Sequence, residues 1–356
     1  MHKKLLIPGP TEVSKEVLSE QAQYMIGHRE KAFSELYNGI TDKLTKFFQL
    51  PADYKPTVTT GSGTLWFDIV ARSIVKEKAL VCVNGAFSKR AAQTFTACGK
   101  ETDIIEVEMG QAIKPDMVAE KLAAGKYDTL WVCHNETSTG VRSPVAEIGK
   151  IVKNEYPDTI FAVDAVSSIA GDKTMPQEMN VDVLFGSTQK CFALPPGLAV
   201  GLVSDKALER AATVPNRGAY TDLVDIFEFE KKHQTPFTPN ISLLYALDKR
   251  MDLLLEETYD KVYQRHLDMA KFTQGWAKRH FSMFPEEGYE SITVSCINSE
   301  GKDVNILNQK LAERGYMISA GYGKLKDKTF RIGHMGEWTP DGIRDVIANI
   351  EEIWGL

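Results

Sequence analysis

Short apolar, β-rich runs alternate along this chain with amphipathic stretches of helical period, and that alternation restricts the possible folds more than any other property. Lys78-Ala-Leu-Val-Cys-Val83 reads as a buried strand that turns at Asn84-Gly85. Thr129-Leu-Trp-Val-Cys133, Thr159-Ile-Phe-Ala-Val163 and Val181-Asp-Val-Leu-Phe185 read the same way. Helical patterns over 114–124 and 144–155 lie between them. Strands alternating with helices of this length imply βαβ units, hence an α/β chain with a mostly parallel central sheet. Ligands bind such sheets beyond the carboxyl ends of the strands, so the residues following each strand deserve inspection. Beyond residue 240 the order changes. Helices are expected over 241–258 and 259–281, a strand over 291–296, a helix over 305–314, a strand over 329–332 and a closing helix over 340–354. This implies a smaller α+β unit packed on the first: an N-terminal arm (1–15), a large domain (16–255) and a small C-terminal domain (256–356).

Composition narrows the function classes. A chain of 356 residues, 43% hydrophobic and 25% charged, buries a sizeable core without a disulfide or metal staple. Its formal net charge of −6 does not suit a dedicated nucleic-acid binder. No apolar run approaches the ~20 residues of a membrane helix. The aliphatic start breaks at Pro8, too early for a signal peptide. Cys82, Cys98, Cys133, Cys191 and Cys296 are odd in number and lack CxxC spacing, against both a disulfide framework and structural zinc. The expectation is a metal-free protein of the reducing cytoplasm with no membrane or nucleic-acid partner.

Several strand-end residues suit chemistry when taken together. Asp164 ends an apolar strand, and Lys190 follows the next one in Gly186-Ser-Thr-Gln-Lys190. Alone, the pair is accounted for by a capping Asp and a solvated lysine. A Schiff-base lysine with a carboxylate for a pyridine nitrogen is the functional counterpart. Thr59-Thr-Gly-Ser-Gly-Thr64 follows an apparent strand at 56–58 and precedes a helical run from Leu65. It suits a phosphate cradle or, equally, an ordinary turn with Thr64 as N-cap; neither a Walker loop nor a full GxGxxG is present. Phe87 after Asn84-Gly85 is either core or a ring to stack on a flat cofactor. His134-Asn-Glu-Thr137-Ser-Thr139-Gly140 offers hydroxyls or simple turn chemistry, and His134 has no second histidine at metal spacing. Arg331 is a carboxylate clamp or a surface ion pair, and Gly27-His28-Arg29 a further cationic handle.

The order and spacing of these segments, with Pro8-Gly-Pro-Thr11, Glu136-Thr-Ser-Thr-Gly140, Val163-Asp-Ala-Val166, Pro195-Pro-Gly197 and Arg331-Ile-Gly333, run nearly the whole length of the chain. In them the sequence resembles the class V, fold-type I pyridoxal-phosphate-dependent aminotransferases of the alanine–glyoxylate and serine–pyruvate group. The resemblance implies pyridoxal 5′-phosphate as cofactor, Lys190 as Schiff-base lysine and Asp164 as pyridinium partner. It implies Phe87 stacked on the ring, Val166 on the opposite face and Thr137 near the ring oxygen. Gly63, Thr64 and Gln189 would serve the phosphate, joined by Thr235 from the neighbouring subunit of a homodimer with shared sites. The usual family tyrosine of that last segment is here Lys232. Arg331 would hold the substrate α-carboxylate.

The implied activity is ping-pong transfer of an amino group from alanine or serine to glyoxylate or pyruvate. Phosphoserine or aspartate with 2-oxoglutarate is the alternative, resting on Arg29 meeting a distal anionic group. A cysteine desulfurase is disfavoured because Cys296 falls within an apparent strand rather than a flexible loop. A non-catalytic binding relative is disfavoured by the intact Lys190, Asp164 and Arg331.

Overall fold

The computed structural model describes residues 2–356. Seven strands form the central sheet, in the spatial order Tyr54–Thr60, Leu198–Ser204, Val183–Ser187, Ile160–Asp164, Thr129–Cys133, Lys78–Val83 and Glu101–Glu106. Leu198–Ser204 alone runs opposite to the others, so the sheet is mostly parallel, as the sequence implies. Side chains alternate faces with period two. Leu80, Cys82, Leu130, Val132, Phe161 and Val163 enter one buried cluster, beneath the helices Lys31–Phe47, Val145–Glu155 and Ile241–Glu257. Their neighbours Val81, Val83, Trp131, Cys133 and Ala162 enter the cluster on the other face, with Trp66, Phe67 and Phe95. Burial on both faces explains why these strands read as unbroken apolar runs.

A third cluster gathers Trp276, Phe330, Ile332 and Ile347 around the antiparallel strands Val294–Asn298, Thr329–Gly333 and Ser319–Ala320. The helix Tyr259–His280 spans two clusters, giving Tyr259 and Val262 to the first and Met269 and Trp276 to the third. It is separated from Ile241–Glu257 by Thr258 at φ 74°, where the continuous helical pattern is broken. The first residues of the chain belong with the third cluster: Lys4–Leu5 pairs in parallel with Tyr316–Met317, and Leu6 is fully buried there. No helix among the described residues is long and apolar enough to cross a membrane.

Two local expectations are corrected, and two strands are added. The strand expected over 291–296 runs over Val294–Asn298, because the Ser291 hydroxyl accepts from the N–H groups of Thr293 and Val294 and holds that segment in a turn. Thr64 makes no side-chain cap, since its backbone is already helical at φ −63°, ψ −24°. The strands Glu101–Glu106 and Leu198–Ser204 are additions to the elements read from the sequence.

Gly201 lies in the antiparallel strand against the Trp66 indole, where a Cβ would stand 2.0 Å from two ring carbons. Gly201→Ala is expected to destabilise the protein by about 1–3 kcal/mol through overpacking. The effect should appear as a lower urea midpoint with an unchanged slope.

Candidate active site

Three neighbouring parallel strands deliver polar residues to one edge of the sheet. Ile160–Asp164 ends on Asp164, Val183–Ser187 leads to Gln189 and Lys190, and Thr129–Cys133 continues to Asn135 and Thr137. They open onto one cavity of about 390 Å³. Asp164 is 4% exposed and accepts one hydrogen bond, 2.8 Å, from the Val166 N–H. No Lys, Arg or His forms an ion pair with it among the described residues. Burial therefore raises its carboxyl to about 7, with the Val166 bond and Lys190 opposing and Glu136 adding to the rise. Lys190, in the same cavity, donates from Nζ to the Pro8 carbonyl. Burial lowers its ammonium to about 8, and the Arg331 cation pushes the same way.

A buried carboxyl without a cation is suited to receive a cationic ring nitrogen, and a lysine near 8 readily exists as the free amine. The remaining walls fit a flat cofactor with an anionic arm. Phe87, at the start of helix Ala86–Ala97, and Val166 both line the cavity. Thr137 faces it and shares a hydrogen bond with Ser167. The loop Ser62-Gly63-Thr64 lines one end, and its N–H groups donate to no backbone carbonyl among the described residues. A Cβ on Gly63 would stand 2.5 Å from Val166 Cγ2, so only glycine leaves this cradle open. Beside it, Ser187 Oγ and Gln189 Oε1 are buried without a hydrogen-bond partner among the described residues. The Ser187 hydroxyl can donate, and at a loop of free N–H donors it suits a phosphate, toward which Gln189 would turn its amide NH₂ rather than its oxygen.

Arg331 adjoins this cavity without lining it: its guanidinium donates to the carbonyls of Thr137 (3.1 Å) and Ala320 (3.2 Å) and lies 5.6 Å from the Tyr322 ring centroid. It is 7% exposed and has no carboxylate partner among the described residues, so it keeps capacity for one.

Arg29 and Thr235 form a separate group within the chain. Arg29 donates to the carbonyls of Thr235 (2.6 Å) and Pro236 (2.8 Å) and packs over Phe229. Thr235 lines a different cavity with Tyr37 and Glu230, and Lys232 rests over Phe229. The structure does not bring these residues into the Lys190 cavity of their own chain.

Two features escape sequence reasoning. The segment Pro8-Gly9-Pro10-Thr11 covers Lys190: Thr11 Oγ1 donates to the Lys190 carbonyl at 2.9 Å and Thr11 N to that of Gln189 at 3.1 Å. Gly9, at φ 92°, is the residue that lets the arm pass, because a Cβ there would stand 2.4 Å from Lys190 Cδ. Second, Arg90 lines the cavity one helical turn after Phe87, stacked 5.2 Å from its ring centroid and 3.4 Å from the Tyr322 hydroxyl. Its i+3 spacing from Phe87 was the available signal.

The Asp164 carboxyl has a measurable consequence in cofactor-free protein. Its folded value near 7 lies above the ordinary 3.8. Between those values the native state keeps a proton that the unfolded state has released, so stability falls as pH rises. The limiting slope is about 1.4 kcal/mol per pH unit. Asp164→Asn is expected to remove that decline between about pH 4 and 7 in urea titrations; an unchanged slope refutes it.

Comparison with known proteins agrees with this fold. The model of the family "Aminotransferase class-V" matches residues 5–325. An uncharacterized aminotransferase of Methanocaldococcus jannaschii is 39% identical, over 98% of this chain and 91% of its own length. The serine–glyoxylate aminotransferase of Methylorubrum extorquens is 28% identical, over 98% and 90%. The crystal structure of pyridoxamine–pyruvate aminotransferase from Mesorhizobium loti superposes with a TM-score of 0.92 at 28% identity, covering 100% of this chain and 93% of that one. A chain with this fold, this sheet-edge cavity and a family match along most of its length belongs to the class-V aminotransferases.

Proposed function

We propose that the protein is a pyridoxal 5′-phosphate-dependent transaminase moving an amino group from alanine or serine to glyoxylate or pyruvate. The observation that carries this reading is the meeting of Lys190 and the cation-free carboxyl of Asp164 in one cavity, beside the phosphate-suited cradle at Gly63. The serine–glyoxylate relative supports the substrate class. When bound, the cofactor supplies a carbonyl for the amino group and an electron-withdrawing ring. Asp164 would hold the proton of the ring nitrogen as an ion pair, which returns its own carboxyl to the charged state. Phe87 and Val166 would confine the ring between them, and Thr137 would bond its oxygen. Gly63, Thr64 and Gln189 would hold the phosphate. Arg331 would grip the substrate α-carboxylate with a charge-assisted pair, fixing the α-carbon. Lys190, as the neutral amine, would take the α-proton on Nζ and deliver it on the far side of the substrate nitrogen, two atoms from the α-carbon, as a general base and then acid. The second substrate would use the same residues in reverse.

Aspartate as donor is the second reading, favoured by Arg90, a cavity-lining guanidinium with no carboxylate partner among the described residues. We further propose a homodimer, in which Thr235 serves the neighbouring site. The exposed Tyr24 (95%) and Met25 (63%) are apolar surface that a second copy would cover. Five free cysteines, four of them buried, support a reducing cytoplasm as its location.

The purified holoenzyme should show a near-visible absorption band that borohydride abolishes, with peptide mapping placing the pyridoxyl group on Lys190. Lys190→Ala should lose both band and turnover; a label on any other lysine overturns the site. Mixing holoenzyme with alanine, serine, aspartate or phosphoserine singly, and following loss of the band, should show alanine or serine fastest. Aspartate fastest favours the second reading.

Light scattering should give a dimer. An inactive Lys190→Ala chain mixed with an inactive Thr235→Pro chain should recover part of the activity, because one site of the heterodimer keeps both sound halves. A fully active monomer refutes the shared site.

A further inference from the structure

We infer that Glu136 is a positioning residue of this site, capping the helix that carries Phe87 and so setting the ring face offered to the cofactor. The inference rests on the functional reading above. Helix Ala86–Ala97 begins after Gly85, which has no side chain with which to cap it. A side chain is excluded there, because a Cβ would stand 2.4 Å from Glu136 Cγ and 2.6 Å from Ser138 Oγ. The first N–H groups of a helix need acceptors, and here they come from a segment distant in sequence. Glu136 Oε2 accepts from Phe87 N at 3.1 Å and Ser88 N at 2.8 Å, and Ser138 Oγ accepts from Ala86 N at 3.0 Å. The same Oε2 accepts from Ser88 Oγ at 2.9 Å, while Oε1 accepts from Ser138 N at 3.1 Å and Ser138 Oγ at 2.6 Å.

Glu136 is fully buried and meets no cation within ion-pair distance among the described residues. Its two oxygens are met by these donors at the positive end of a helix of 12 residues. Every partner is a donor to it. A glutamine would turn an NH₂ toward N–H or O–H groups on one side, so the amide cannot replace the acid. The ring that would stack on the cofactor is attached to one of the capped N–H residues. Fraying this first turn would free Phe87, and with it Arg90 stacked on the ring.

The test titrates pyridoxal phosphate into the cofactor-free full chain, reading affinity and the visible dichroism of the bound cofactor. Glu136→Gln should weaken binding roughly tenfold or more and change the dichroic band, as loss of a charged hydrogen-bond acceptor implies. In a Phe87→Leu background the same substitution should add less than about threefold, because the coupled pair is already broken. Unchanged affinity and dichroism overturn the inference. So does an equal loss in both backgrounds, which would mean a stability effect independent of the ring. If Glu136→Gln does not fold, Ser138→Ala removes the 3.0 Å and 2.6 Å bonds of the cap and should shift affinity and dichroism in the same sense; no shift overturns the inference. Wild-type protein that takes up no cofactor removes the functional reading and this inference with it, whereas tight wild-type uptake with an unaffected Glu136→Gln removes only the inference.

Discussion

Desolvation of charge at one edge of the sheet governs this molecule. Strands buried on both faces carry Asp164 and the loop of Lys190 out of water, and both groups are driven toward their neutral forms. Interiors seldom tolerate a carboxyl with a single hydrogen bond and no cation. The cavity is thus a place of unsatisfied electrostatics, and a ligand supplying a cation to Asp164 and an anion to the Ser62–Thr64 loop would satisfy both ends. Binding and folding are linked here: whatever fills the site also stabilises the chain that holds it.

The contrast between the two buried acids is instructive. Asp164 accepts one hydrogen bond and is lifted to about 7, whereas Glu136 is surrounded by backbone and hydroxyl donors. Two buried acids therefore sit in different surroundings. The number of donors decides which acid is structural and which is left with binding capacity.

Much of this was legible in the sequence, for identifiable reasons. Lys78–Val83 and Thr129–Cys133 match the read strands residue for residue because each is a nearly unbroken apolar run bounded by turns. Asp164 and Lys190 were found by their place after such strands. Glu101–Glu106 escaped because an edge strand with polar residues on its open side lacks an apolar run. The reversed direction of Leu198–Ser204 has no local signature, since pairing sense is a matter of topology. The covering role of Gly9 and the cap by Glu136 are contacts between segments far apart in sequence, invisible to any window. Arg29 shows the opposite limit: a cation at a promising position whose partners, the carbonyls of Thr235 and Pro236, are chosen by the fold.

The pairing of Lys4–Leu5 with Tyr316–Met317 has a consequence for how the protein is made. The strand Lys4–Leu5 has no partner until the ribosome has reached Tyr316–Met317. Meanwhile the sheet, whose strands end with Leu198–Ser204, has its residues available much earlier. At about 5–20 residues per second, that interval is several seconds or longer. The two anchors of the arm thus become available at different times: Thr11 can meet the carbonyls of Gln189 and Lys190 once that loop is made, whereas Lys4–Leu5 must wait for Tyr316–Met317.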